Sequence, residues 1–133
     1  MNQYIGRSGQ GMPDQHDDVV RRFTDACRTR DTVALRATLD ADATAVCDTG
    51  EILPQTAAGL FQGADIVAQL LTSLLDGQPG AELTVEAVNG RAGLALRRAG
   101  QAVAVVGVTA NEGKILILWI VLNPAKLHRW HRR

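Results

Sequence analysis

Asp48 is the strongest candidate for a working carboxylate, because it closes a short apolar stretch, Thr44 to Cys47, and leads into the polar turn Thr49-Gly50-Glu51. A carboxyl group at the mouth of a pocket can act as a general base or orient a ligand. The same residue equally suits a turn in which its side chain accepts from the backbone N–H groups of Thr49 and Gly50. Both readings stay open. Asp65 follows Gly63 at an expected helix start, where an acid in the first turn is favoured by the helix dipole. Catalysis also needs a donor poised towards a developing oxyanion, and the residue types that serve are badly placed. Tyr4, the sole tyrosine, lies in the polar leading segment; His16, His128 and His131 fall before the first expected helix or after the last expected strand. Cys27 and Cys47 are far apart with no histidine beside either, which fits neither a zinc site nor a redox pair. They read as reduced, buried thiols, and no metal or cofactor is expected.

Trp119 belongs to an apolar run and by alternation shares a face with Ile115, Ile117 and Val121. There it can roof a pocket, sit in a dimer interface or be plain core. The ending Lys126-Leu127-His128-Arg129-Trp130-His131-Arg132-Arg133 is basic with one aromatic, a composition able to touch nucleic acid. Nothing else in the chain supports such a face, so direct nucleic-acid binding is not expected and residues 128–133 read as a solvated basic tail. The 14 basic and 14 acidic residues cancel, leaving no overall field towards nucleic acid or an anionic membrane.

Those candidates need a scaffold, and 133 residues allow one hydrophobic core. Apolar residues make up 46% and charged residues 21%, which is globular usage. Aromatics are only 4%, so the core must be aliphatic, and so must the lining of any cavity. The leading residues hold no apolar secretion signal, and the longest apolar run, Ile115 to Leu122, is too short to span a bilayer as a helix. A cytoplasmic protein is the expectation.

Residues 1–14 read as a flexible arm, with Met1 and Met12 both open as starts. From Gln15, the stripe Val19, Val20, Phe23, Ala26 and Cys27 predicts an amphipathic helix. Asp31 and Thr32 suit an N-cap for a second short helix carrying Leu35 and Leu39. Thr44 to Cys47 is a strand candidate, Asp48 to Gly59 a loop, and Ala64 to Leu75 a third helix. After Gly80 the chain alternates as strands: Leu83–Val88, Leu94–Arg98, Ala102–Ala110 and Ile115–Leu122, separated by turns at Asn89-Gly90, Ala99-Gly100 and Asn111-Glu112-Gly113. The result is an α+β domain over residues 15–127, three helices on a meander. Two of its strands are apolar on both faces, and the face away from the helices wants cover from a second protomer or from the chain's own loops.

This element order resembles the nuclear transport factor 2-like fold shared with SnoaL-like polyketide cyclases. The segments Phe23 to Leu39, Asp48-Thr49-Gly50, Gly63 to Ala68, Val88-Asn89-Gly90-Arg91-Ala92-Gly93-Leu94 and Leu122-Asn123-Pro124-Ala125-Lys126-Leu127 are together similar to the SnoaL-like domain at the carboxyl end of a group of extracytoplasmic-function sigma factors. The resemblance implies a curved, mainly antiparallel cone carrying three helices, and a domain that packs on and modulates polymerase- and promoter-binding regions. Those regions are absent from this chain. Two departures bear on the partner. Where the family has an Asp, three glycines and a Lys, this chain has Asp48-Thr49-Gly50-Glu51-Ile52; where it usually has Asn-Pro-Asp-Lys-Leu, the third residue is Ala125.

The expectation is a stand-alone binding or regulatory module with an apolar pocket, working as a homodimer, with a small apolar ligand or a protein of the transcription machinery as partner and no membrane attachment. Asp48, Thr49, Gly50, Glu51, Trp119, Asn123, Pro124, Lys126 and Leu127 are its contact candidates, and none is assigned a catalytic role. The alternative is a small-molecule isomerase, cyclase or hydrolase using the cone's pocket.

Overall fold

Three two-residue turns set the second half of the molecule. Asn89-Gly90, Ala99-Gly100 and Glu112-Gly113 hold both residues at positive φ, from 52° to 82°. That conformation has the twist of the strands it joins. In the computed structural model, which describes residues 12–48 and 59–131, these turns link β3 (Glu82–Val88), β4 (Arg91–Arg98), β5 (Gln101–Asn111) and β6 (Lys114–Val121). The third turn uses two residues, so Asn111 stays in β5. Ahead of the meander come α1 (Met12–Thr29), α2 (Thr32–Thr38), β1 (Leu39–Asp48), β2 (Leu60–Gln62) and α3 (Ala64–Asp76), and after it α4 (Pro124–Leu127) with a 3₁₀ turn, His128–Trp130. One curved, unclosed six-stranded sheet results, in the order β2-β1-β6-β5-β4-β3. Every neighbouring pair is antiparallel except β1 with β6.

The helices form where the apolar stripe and the caps agree. Val19, Val20, Phe23, Ala26 and Cys27 of α1 are all buried. The helix stops where Arg30 takes a φ of 57° and the Asp31 amide bonds back to the Ala26 carbonyl. Asp31 then caps α2, its Oδ1 accepting from the Ala34 amide at 3.0 Å. Gly63, at a φ of 105°, turns the chain from β2 into α3. Asp65 in the first turn of α3 pairs with Arg36 on the surface, at 3.2 Å.

Four sequence expectations shift. The first helix begins at Met12 rather than Gln15, and takes His16 into its second turn. Leu39 belongs to a strand, not to the second helix, and that strand runs ten residues through the acidic Asp40-Ala41-Asp42. An irregularity in the β1–β6 register between Leu39 and Thr44 lets it do so, with the Asp42 amide held by the Asp40 carboxylate at 2.9 Å. The edge strand β2 lacks any sequence period because it is only three residues long. Finally, Ile115 does not share a face with Trp119. The β5–β6 register shifts between Thr109 and Ala110, so Ile115 turns inward and is fully buried. The expected arm ahead of Met12 lies outside the described residues.

Helices α1, α2 and α3 cover the inner face of the sheet. Phe23, Leu35, Val67 and Leu71 meet Ala45, Leu94, Val106, Leu118 and Ile120 there in one core. A smaller cluster, Ala95, Ala102 and Val105 with Leu127, lies on the outer face. Two glycines let Val88 lie flat across that outer face. A Cβ built on Gly93 meets the Val106 carbonyl oxygen at 2.5 Å and a Val88 methyl at 2.8 Å, whereas one built on Gly107 finds its nearest neighbour at 3.6 Å. Gly93→Ala is therefore expected to cost about 1–3 kcal/mol, the scale of overpacking, and Gly107→Ala under about 1 kcal/mol. Urea denaturation of the two variants checks this; equal costs contradict the packing described.

Candidate functional site

The inner face offers little chemistry. Among the described residues, the side chains between sheet and helices are aliphatic apart from Phe23, Phe61, two hydroxyls, two thiols and the imidazole of His16. Thr24 and Thr38 spend their hydroxyls on their own helix, bonding the Val20 and Leu35 carbonyls. Burial pushes the Cys27 thiol up to about 12 against a small opposing pull from Arg30, and raises Cys47 as well. Both are protonated at neutral pH and are poor nucleophiles. His16, expected outside the ordered elements, is instead buried on α1, its Nε2–H donating to the Ala92 carbonyl at 2.9 Å. It borders a groove beside Asp17, Val85, Ala87 and Arg91.

The outer face is built differently. Arg97 of β4 points outward and is 7% exposed. Its Nη2 donates to Glu86 Oε1 at 2.8 Å, its Nη1 reaches Glu86 Oε2, and its Nε donates to the Trp130 carbonyl at 2.8 Å. Thr84 completes the set, donating to Glu86 Oε2 at 2.6 Å. The hydrogen bonds that Arg97 donates to Glu86, and secondarily the Glu86 charge, raise the Arg97 pKa against the opposing effect of burial, so the guanidinium stays charged. One buried cation thus holds two elements together, the edge strand β3 and the segment after α4.

Residues 128–131, the described part of the expected basic tail, are held on the sheet although His128, Arg129 and His131 are exposed. Leu127 is buried against Ala95, Ala102 and Val105, with Trp130 packed beside it. The Ala102 amide donates to His131 Nδ1 at 2.8 Å, which fixes the ring proton of the neutral imidazole on Nε2. The chain leaves β6 in a defined way to reach this position. The Leu122 amide bonds the Asp48 carbonyl at 2.7 Å, and Asn123 Oδ1 accepts from the Ala125 amide at 3.1 Å, capping α4 with Pro124 in its first turn. Lys126 then reaches Asp48 Oδ2 at 2.6 Å. Asp48 and Lys126, a strand end and a helix 78 residues on, form one rim. Thr49, Gly50 and Glu51 lie outside the described residues.

Beyond this rim the outer face is open. Val46 of β1 stands opposite Leu60 of β2 on one side and Trp119 of β6 on the other, a row across three strands. Leu60 is 61% and Trp119 51% exposed, so Trp119 is not core. Gly107 faces Trp119 from β5, leaving the indole without a large neighbour there. Val121 connects the row to the Asp48–Lys126 rim. Of the sequence candidates, the fold brings Asp48, Trp119, Asn123, Pro124, Lys126 and Leu127 to this one side. Sequence reasoning missed Arg97, Glu86 and His131. The Asn89-Gly90 turn places Glu82 directly opposite Arg97, as the register confirms, yet Arg97 leans along the strand to Glu86. Only a signal for what covers the face could have shown this.

No protein-family model matches the chain, and no curated protein sequence does. Solved structures do. A domain of the Mycobacterium tuberculosis extracytoplasmic function sigma factor SigJ superposes with a TM-score of 0.64 at 25% identity, over 84% of this chain and 43% of that one. The chain therefore spans less than half of that sigma factor. An NTF2-like protein of unknown function from Mesorhizobium loti gives 0.60 at 20% identity, over 86% of this chain and 96% of that one. An M. tuberculosis LEH-like epoxide hydrolase gives 0.53 at 16% identity, over 89% and 90%. The chain has the nuclear transport factor 2-like, SnoaL-like fold, related to the sigma-factor domain. No helix among the described residues is long and apolar enough to cross a membrane.

Removing the Glu86 carboxylate leaves Arg97 buried and unpaired, so Glu86→Ala is expected to cost about 3 kcal/mol. The pair replaced together, Glu86→Leu with Arg97→Met, should recover more than half of that. Chemical denaturation measures both, and hydrogen exchange at Ala102 and residues 127–131 should quicken in the single variant. A Glu86→Ala protein of unchanged stability contradicts the role given to the pair.

Proposed function

We propose that this chain is a non-catalytic binding module of the cytoplasm that works by docking protein surfaces on the outer face of its sheet. The observation that carries this reading is the row Leu60, Val46 and Trp119, exposed at Leu60 and Trp119 and half-buried at Val46, flanked by Ile117 and Val121 and bounded by the Asp48–Lys126 pair. Exposed apolar surface rimmed by charge marks an interface. The inner face supports it further, since a pocket enzyme needs an acid and a base together: no described carboxyl group is buried there, and the one buried imidazole, His16, spends its Nε2–H on the Ala92 carbonyl. An LEH-like epoxide hydrolase shares this fold at low identity, and fold alone does not carry an activity.

The isolated chain is proposed to pair with a second copy of itself through this face. Such an isologous contact places Trp119 near its centre and needs to bury at least about 1,000 Å² in total. The likeness to a sigma-factor domain supports a transcription protein as a competing occupant of the same surface. Asp48 and Lys126 then act at the rim, where an exposed ion pair steers more than it stabilises.

Sedimentation velocity at micromolar concentration is expected to show a dimer, and Trp119→Glu to weaken it by about thirtyfold or more, the scale of a central aromatic anchor. Folding stability should shift by only about 0.5 kcal/mol, because the indole is exposed. The polymerase- and promoter-binding regions of an extracytoplasmic-function sigma factor, added in excess, should convert the dimer into a mixed complex. A monomeric wild type, or a dimer indifferent to Trp119→Glu, overturns the docking reading. An unchanged dimer in the presence of the sigma regions restricts it to self-association.

A further inference from the structure

The C-terminal segment does more than cover the sheet: between it and the β3–β4 turn lies a cavity of about 600 Å³. Its floor is apolar, made by Val88, Val105 and Val121, and Trp130 forms a wall. Every ionisable side chain that lines it, Lys126, His128 and Arg129, is basic. Lys126 is held by Asp48, and the His128 ring lies 5.3 Å from that of His131. Arg129 is exposed and makes no hydrogen bond or ion pair among the described residues. The volume falls within the range of small-molecule sites, and an apolar floor under an uncommitted guanidinium suits a ligand with an apolar body and a planar anion. A carboxylate matches the guanidinium fork in a way that a hydroxyl or an ammonium does not.

We infer that this groove binds an amphipathic carboxylate, a small organic acid with an aliphatic body, on the outside of the sheet rather than within the cone. The three valines seat the aliphatic part and Arg129 takes the carboxylate. The valine floor offers no stacking platform for bases, so nucleic acid would have to use the Trp130 and His128 rings and is the competing occupant that the test separates. The site shares Val121 and Lys126 with the border of the docking surface but no residue of the row Leu60, Val46 and Trp119, and because its test reads Arg129 and Trp130 the two readings fail separately.

The test uses the full chain carrying Trp119→Phe, which leaves Trp130 as the sole indole. Titration with decanoate should give a saturable change in Trp130 fluorescence. Decanol should bind at least about tenfold more weakly, and so should decanoate to the additional variant Arg129→Glu, on the scale of a lost charge-assisted hydrogen bond. Arg129 has no partner to lose, so that variant is expected to fold as the parent does. The inference is overturned by decanol binding as well as decanoate, by an unchanged affinity in Arg129→Glu, or by the absence of saturation. Displacement of decanoate by a single-stranded oligonucleotide at equal concentration overturns it in favour of a nucleic-acid surface.

Discussion

A buried guanidinium is costly unless its donors are used, and Arg97 uses its donors on Glu86, Thr84 and the Trp130 carbonyl. That requirement organises the outer side of the molecule. Glu86 ties the pair to the edge strand β3, so the strand cannot slip without stranding a charge. The Trp130 carbonyl ties it to the segment after α4, so residues 127–131 lie on the sheet. Leu127 and His131 secure the same segment from either side of Trp130, one by apolar burial and one by accepting from the Ala102 amide. Remove the ion pair, and both the edge and the cover lose their common anchor.

This arrangement divides the two faces of the sheet by role. The inner face is filled by α1, α2 and α3 and supplies most of the apolar burial on which stability rests. The outer face is half closed by the chain's own C-terminal segment and half open around Trp119. Two glycines make the division possible in a sheet of few aromatics. Gly93 lets Val88 settle against the backbone, and Gly107 leaves space next to the indole. Function, on this account, sits where the core is finished and the surface is not.

Much of the fold was legible in the sequence because local rules and the global pattern agree. The Asn89-Gly90 and Ala99-Gly100 turns announced the meander, Asp31 announced a helix cap, and the stripe from Val19 to Cys27 announced the covering helix. The losses arose where a local irregularity overrode a period. The extra residue Leu116 moves Ile115 to the opposite face from Ile117, so strict alternation put it beside Trp119. Asp40 and Asp42 look like loop residues, but a bonded irregularity keeps them in a strand. Leu127 was legible as an anchor after Asn123-Pro124, but the residues beyond it were the largest loss: their charges mask Trp130, and their tightest tie is a backbone carbonyl, which carries no sequence signal. Asp48 and Lys126 were both visible as candidates, yet their pairing required knowing that β1 runs parallel beside β6.

Binding of other molecules is proposed to take place on the open half of the outer face rather than in the cone's interior. The two tryptophans, Trp119 and Trp130, are natural reporters, one on the open half and one within the C-terminal segment. Fluorine NMR of the chain labelled with 5-fluorotryptophan measures, through the solvent isotope shift, how much water each indole sees as protein concentration rises. The account predicts that Trp119 loses its isotope shift on association while Trp130 keeps its own. A Trp119 signal unchanged by association, with methyl signals of the inner-face Leu118 and Ile120 moving instead, would contradict it.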